Sequence, residues 1–127
     1  MTHDEKLALI ERYLTAYNTF DIEGMLAVMH PDIVFKNISG GEVNAAAYGK
    51  EELRRLAGKS KNLFVSRRQT VMHFEADEDQ ASADVAFTGV PAADLPNGMK
   101  KGETLRLNGR SEFRFREGKI VEITDIA

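Results

Sequence analysis

The stretch DIVFKNISGG, residues 32–41, places Asn37 near the end of an extended run that stops at a Ser-Gly-Gly turn. A polar group at the mouth of a strand is well placed for chemistry, but an amide donates and accepts hydrogen bonds and takes no proton. Either Asn37 serves the turn backbone, or it orients a substrate whose base lies elsewhere. Tyr13 and Tyr17 stand four residues apart and share one helix face. They read either as two phenols offered to a ligand or as core aromatics. Asp125 has the strand parity of Ile123, an interior position. Burial among Phe and Ile would raise its pKa toward the range useful to an acid/base.

Other chemistries have less support. The chain has no cysteine, which excludes disulfides, thiol nucleophiles and Cys-zinc sites, and His3, His30 and His73 have no metal-ligand spacing. His30 precedes Pro31 and reads as a helix-end residue near the last carbonyls. His73 lies on a strand whose two faces are both mixed. Arg106, Arg110 and Arg114, with Glu112, read as an outer strand face that is either solvated or a polar dimer surface, with cross-strand partners such as Asp84. Arg54, Arg55, Arg67 and Arg68 read as surface charge.

These groups need elements to position them. Thr2 and Glu5 form a capping box, after which Leu7, Ile10, Leu14 and Tyr17 recur at helical spacing. A short helix follows over 22–29, capped by Asp21 and stopped by Pro31. Residues 39–48 read as a small-residue loop, and 49–58 as a third helix ended by Gly58. From residue 63 the period becomes two. Strands are expected over 63–75, 81–89, 103–115 and 119–127, with a hairpin turn at Glu117-Gly118. The segment 91–102, PAADLPNGMKKG, is longer than a hairpin needs and reads as a lid or as a mobile or dimer-forming loop. Helices first and an antiparallel meander after them mean α+β, with helices on one face of a curved sheet.

The 127 residues are one domain's worth, and 43% hydrophobic with 29% charged is ordinary globular composition. A net charge of −3 does not suggest nucleic acid or an anionic membrane. There is no signal-peptide pattern and no run of about 20 apolar residues, so a cytoplasmic protein is expected.

The order of RYLTAYNTFD, IEGMLAVMHPDIVFKN, YGKEEL and FREGKIVEITD resembles the NTF2-like superfamily, which includes SnoaL-like polyketide cyclases and ketosteroid isomerases. The resemblance covers essentially the whole chain. It implies a cone, with three N-terminal helices on a strongly curved antiparallel sheet, and a homodimer through the outer sheet face. Tyr13 and Tyr17 would project into the cone with Phe35, Asn37, Val85, Phe87, Leu107, Ser111 and Phe113, closed by Ile123 and Asp125. On the isomerase pattern the tyrosine falls on Tyr13, the base on Asn37 and the second aspartate on Ser111, so that mechanism has lost two carboxylates. On the cyclase pattern the acid/base aspartate falls on Asp125, but Ile123 and Thr124 stand where the cyclases have a histidine and an aromatic residue. The resemblance thus implies binding of a small apolar molecule, with cofactor-independent acid/base chemistry on a carbonyl compound carried by Asp125, Tyr13 and Asn37, and no metal. The alternative is a non-catalytic dimeric interaction module whose cone is filled by its own side chains.

Overall fold

Thr2 starts the first helix as its sequence requires. Its hydroxyl accepts from the Glu5 N–H at 3.1 Å, and the Glu5 carboxylate accepts from the Thr2 N–H at 2.8 Å. The fold comes from a computed structural model, in which residues 1–96 and 98–127 are described. Helix α1 (His3–Asn18) buries Leu9, Ile10, Tyr13 and Leu14 along one side. It ends in a tight reversal: the Asp21 N–H donates to the Ala16 carbonyl at 2.8 Å, with Phe20 at φ 59°. Glycine is usual at that left-handed position, so Phe20 holds a strained backbone.

Helix α2 (Ile22–Ala27) is capped by the Asp21 carboxylate, which accepts from Gly24 N–H at 2.9 Å. It stops short of the expected 22–29. Met29 and His30 already belong to strand β1 (Met29–Ser39), and Met29 pairs with Ile120. Pro31 is therefore a strand residue, in the stretch where the β1 register shifts, which is where a residue without an N–H is tolerated. His30 is buried rather than at a helix end. Its Nδ1 accepts from the Asp32 N–H at 3.0 Å, and its Nε2 lies 3.3 Å from a Glu117 carboxylate oxygen.

The expected loop over 39–48 is mostly strand β2 (Glu42–Tyr48), paired antiparallel with β1. Its Ala-Ala-Ala centre carries no alternation, and as an edge strand it is specified by its partner. Helix α3 (Lys50–Lys61) runs through Gly58 instead of ending there. Lys59 and Lys61 in its last turn suit the negative end of the helix dipole. Arg54 clamps α3 to α2 through both oxygens of Glu23, at 2.8 and 3.0 Å, and also bonds Glu51.

Strands β3 (Phe64–Asp77), β4 (Gln80–Pro91), β5 (Leu105–Arg116) and β6 (Lys119–Ile126) complete one six-stranded sheet in the order β2-β1-β6-β5-β4-β3. The β1–β6 pair is parallel and the other neighbours are antiparallel. The inner face of this sheet and the helices share a core in which Ile10, Met29, Ile33, Ile120 and Ile123 are fully buried. Each such side chain contributes about 1.5–3 kcal/mol through burial. The segment between β4 and β5 folds back on itself: Leu95 N–H donates to the Met99 carbonyl at 2.8 Å and Gly102 N–H to the Pro91 carbonyl at 3.1 Å. The lid expected over 91–102 includes Asn97, which lies outside the described residues.

Candidate functional site

Register builds the site. Across the sheet, Ala45, Asn37, Asp125, Ser111, Ala83 and Phe74 are successive Cα partners from β2 to β3. The neighbouring interior row is Ala47, Phe35, Ile123, Phe113, Ala81 and Ala76, which is wholly apolar. Three polar groups, Asn37, Asp125 and Ser111, therefore stand side by side in one row, directly beside a wholly hydrophobic one.

The Ser111 hydroxyl donates to the Asp125 carboxylate at 2.6 Å. Ser111 is 5% exposed, so this bond lies behind the carboxylate and leaves its second oxygen free of Ser111. Asp125 keeps access to the cavity while protein surrounds it on the other sides. Desolvation pushes its pKa from 3.8 up to about 6, against the opposing effect of the Ser111 bond. It is thus an anion near neutrality that protonates at mild acidity.

Tyr13 reaches the same space from α1. It is buried, and its ring meets Phe113 edge-on, with centroids 6.5 Å apart. Burial, then the charge of Asp125, raise its pKa well above the usual phenol value. Tyr13 is therefore a phenol that keeps its proton at ordinary pH. Tyr17, one turn on, is also raised, chiefly by burial.

Reading the sequence missed Arg67. It is 6% exposed, not a surface charge. Its Nε donates to the Tyr17 carbonyl at 3.1 Å, and its guanidinium lies 3.7 Å from the Tyr17 ring centroid and 4.6 Å from that of Phe20. Desolvation lowers its pKa, while the two tyrosines oppose that. Gln69, two residues on and also on the inner side, is held by Asn18. The Asn18 side chain accepts from Gln69 N–H at 2.7 Å and donates to its carbonyl at 3.2 Å. The available signal was parity: Arg67 and Gln69 alternate with exposed Arg68 and Thr70. A register shift between Val71 and His73 broke that alternation farther along the strand. His73 is exposed and lies 3.1 Å from Glu75.

Between these groups is a cavity of about 230 Å³, lined by Tyr13, Tyr17, Phe35, Asn37, Arg67, Gln69 and Asp125 with Met25, Met29, Leu53 and Leu56. An adjoining groove of about 160 Å³ shares Asn37, Gln69 and Asp125 with it and is walled by Val85, Phe87 and Leu107. The expected cone residues thus separate into three sets. Tyr13, Tyr17, Phe35, Asn37 and Asp125 line the cavity. Val85, Phe87 and Leu107 line the groove, and Leu107 is 49% exposed there. Ser111, Phe113 and Ile123 line neither: Ser111 supports Asp125 from behind, and Phe113 and Ile123 are core. A broader depression of about 780 Å³ shares no residue with the cavity, is rimmed by Arg110, Glu112, Arg114 and Glu122, and is open to solvent. Among the described residues, no group of three or more His, Asp or Glu could hold a metal ion, and no helix is long and apolar enough to cross a membrane.

Three helices on a six-stranded, mostly antiparallel sheet around such a cavity make an NTF2-like cone. The chain belongs to the SnoaL-like domain family, whose pattern spans residues 10–123. Among solved structures it is similar to AclR of Streptomyces galilaeus, a candidate hydroxylase, at 22% identity over 98% of this chain and 89% of that one, with a TM-score of 0.77. It is similar to a candidate polyketide cyclase of Xanthomonas campestris pv. campestris at 21% identity over 98% and 90%, with a TM-score of 0.77. It is also similar to TerC, crystallised with polyporic acid, at 18% identity over 96% and 90%, with a TM-score of 0.78. At these identities the likeness speaks for the fold. No curated protein matches the chain significantly.

Proposed function

We propose that this chain, folded as one domain, binds a small apolar carbonyl compound in the cavity and moves a proton on it without a cofactor, as an isomerase or cyclase would. Asp125 is the base. It takes a proton from carbon next to the carbonyl, and Tyr13 with Asn37 donates to the oxygen on which charge develops. The observation that carries this reading is the Asp125 carboxylate itself, desolvated to a pKa of about 6, fixed by Ser111 and open to an otherwise largely apolar cavity. A base poised near working pH is what proton abstraction needs, and donors already aimed at the oxygen lower the barrier. A buried carboxylate with a purely structural role is ordinarily paired with a cation, and Asp125 has a hydroxyl instead. The cavity counts against the alternative of a cone filled by its own side chains.

The relatives support ligand binding on this fold without deciding the reaction, since candidate hydroxylases and cyclases share it. Exposed Val65 and Met72 on β3, at 68% and 67%, favour a homodimer through the outer sheet face, which sedimentation would test.

The test needs no knowledge of the substrate. Aryl and alicyclic ketones that fit the cavity are incubated with the protein in deuterium oxide, and loss of the α-proton signal is followed by NMR. Exchange by the wild type that disappears in Asp125→Asn supports the reading. Binding without exchange leaves a ligand-binding protein, and neither binding nor exchange removes the pocket.

A further inference from the structure

Arg67 is a buried cation with no carboxylate to answer it. Among the described residues it forms no ion pair. Its partners are neutral: the Tyr17 carbonyl, at 3.1 Å from Nε, the Tyr17 side chain, and the ring of Phe20. The other charge in the cavity, Asp125, is bonded to Ser111 and lies on β6, at the centre of the sheet, whereas Arg67 is on edge strand β3. Proteins keep charged groups this far from water when they are paired or when a ligand will pair them.

The surroundings hold the guanidinium in place at a cost. Phe20 stacks near it from a left-handed backbone, φ 59°, which glycine would take without strain. Asn18 pins the backbone of Gln69 through two hydrogen bonds, fixing the strand beside Arg67 to the end of α1. A rigid planar fork packed against rings keeps N–H donors for a partner, and an edge of such donors matches a planar, delocalised oxyanion.

We propose that the ligand of this cavity is an organic anion, an apolar skeleton carrying one carboxylate or ionised enol, and that Arg67 binds its charge. This deepens, and rests on, the reading of the cavity as a ligand pocket. The anion sits at the β3 wall, the apolar body lies against Phe35, Leu53 and Leu56, and the carbon that loses its proton faces Asp125. Arg67 thereby selects the substrate class and sets its direction, while Asp125 stays apart from the ligand's own charge.

A matched pair of probes tests this: 2-naphthoate and 2-acetonaphthone, which share a bicyclic skeleton and differ in charge. Calorimetry measures Kd for both probes. The wild type is expected to bind the naphthoate at least about tenfold more tightly, as a charge-assisted pair requires. In Arg67→Gln the two Kd values should converge to within about twofold, with the ketone still bound. Arg67→Lys keeps the charge without the fork and should fall between them. A wild type that binds both probes equally, or prefers the ketone, overturns the role of Arg67 and leaves the pocket standing. A wild type that binds neither overturns both. Should Arg67→Gln fail to fold by circular dichroism, the wild-type preference and the Arg67→Lys ratio decide the matter.

Discussion

Asn37 and Asp125 are direct partners across the parallel β1–β6 pair, although 88 positions separate them in the chain. Their side chains therefore share one face of the sheet, a neutral donor beside an ionisable acceptor. Neither could replace the other, because the amide cannot take a proton and the carboxylate, once ionised, cannot donate one.

Replacing Asp125 with Asn should lower proton-transfer activity by about 10²–10⁴-fold, the usual contribution of a positioned base. It should also stabilise the protein. The folded pKa of about 6 lies above the ordinary 3.8, so between those pH values the folded state holds the extra proton. The cost of ionising a buried carboxylate therefore appears as pH rises through that window and stays constant above it. Asp125→Asn should gain about 1–3 kcal/mol over the wild type at pH 7 and nothing at about pH 3.5. Urea denaturation at both pH values checks this, and a variant less stable at pH 7 would assign Asp125 a structural role.

Removing the Ser111 hydroxyl should move the pH profile. The bond at 2.6 Å favours the ionised carboxylate, so Ser111→Ala raises the Asp125 pKa above about 6. The rising limb of kcat/KM, set by ionisation of the base, should shift to higher pH with little change in the plateau. A limb that does not move would separate Ser111 from the base.

Tyr13→Phe keeps the ring that meets Phe113 and deletes the donor. We expect kcat to fall by about 10²–10³-fold, the range for one oxyanion donor, while Tm changes by no more than about 3 °C. A large loss of Tm with unchanged kcat would make the phenol a packing group.

Gly109 sits where a methyl group would come within 3.0 Å of the Ile126 carbonyl, next to Asp125 in the chain. Gly109→Ala should displace the end of β6 and cost about 1 kcal/mol. It should reduce proton transfer by more than that loss of stability explains, since a small displacement of a catalytic group is felt strongly in rate. Parallel measurement of urea midpoint and α-proton exchange tests this.

The sequence showed the site's carboxylate and phenols more clearly than its cation. Tyr13 and Tyr17 lie on a four-residue helical repeat, and Asp125 shares the parity of buried Ile123, although a register shift nearer the Glu117-Gly118 turn buries Ile120 as well. The helical period survives along α1, and the strand period holds from Ile123 to Asp125, because packing on one side enforces them. Arg67 was hidden by composition: an arginine in an alternating strand is ordinarily outside, and its burial depends on Tyr17 and Phe20, about 50 residues earlier. Strand β2 was hidden because its pairing with β1, not its own residues, makes it extended. Gly58 looked like a helix stop, but a methyl group there would meet nothing, and the helix simply passes through.

The position of β6 bears on how the protein is made. It lies between β1 and β5, so strands synthesised before it form two separate ribbons, β1–β2 and β3–β4–β5, each with an open hydrogen-bonding edge. A nascent chain without β6 can neither close its sheet nor present Asp125. Closure of the sheet and placement of Asp125, the proposed base, are one event during synthesis. Until then both bare edges are exposed to other chains, so translation that stalls before residue 119 should yield aggregate or protease substrate and no partially active protein.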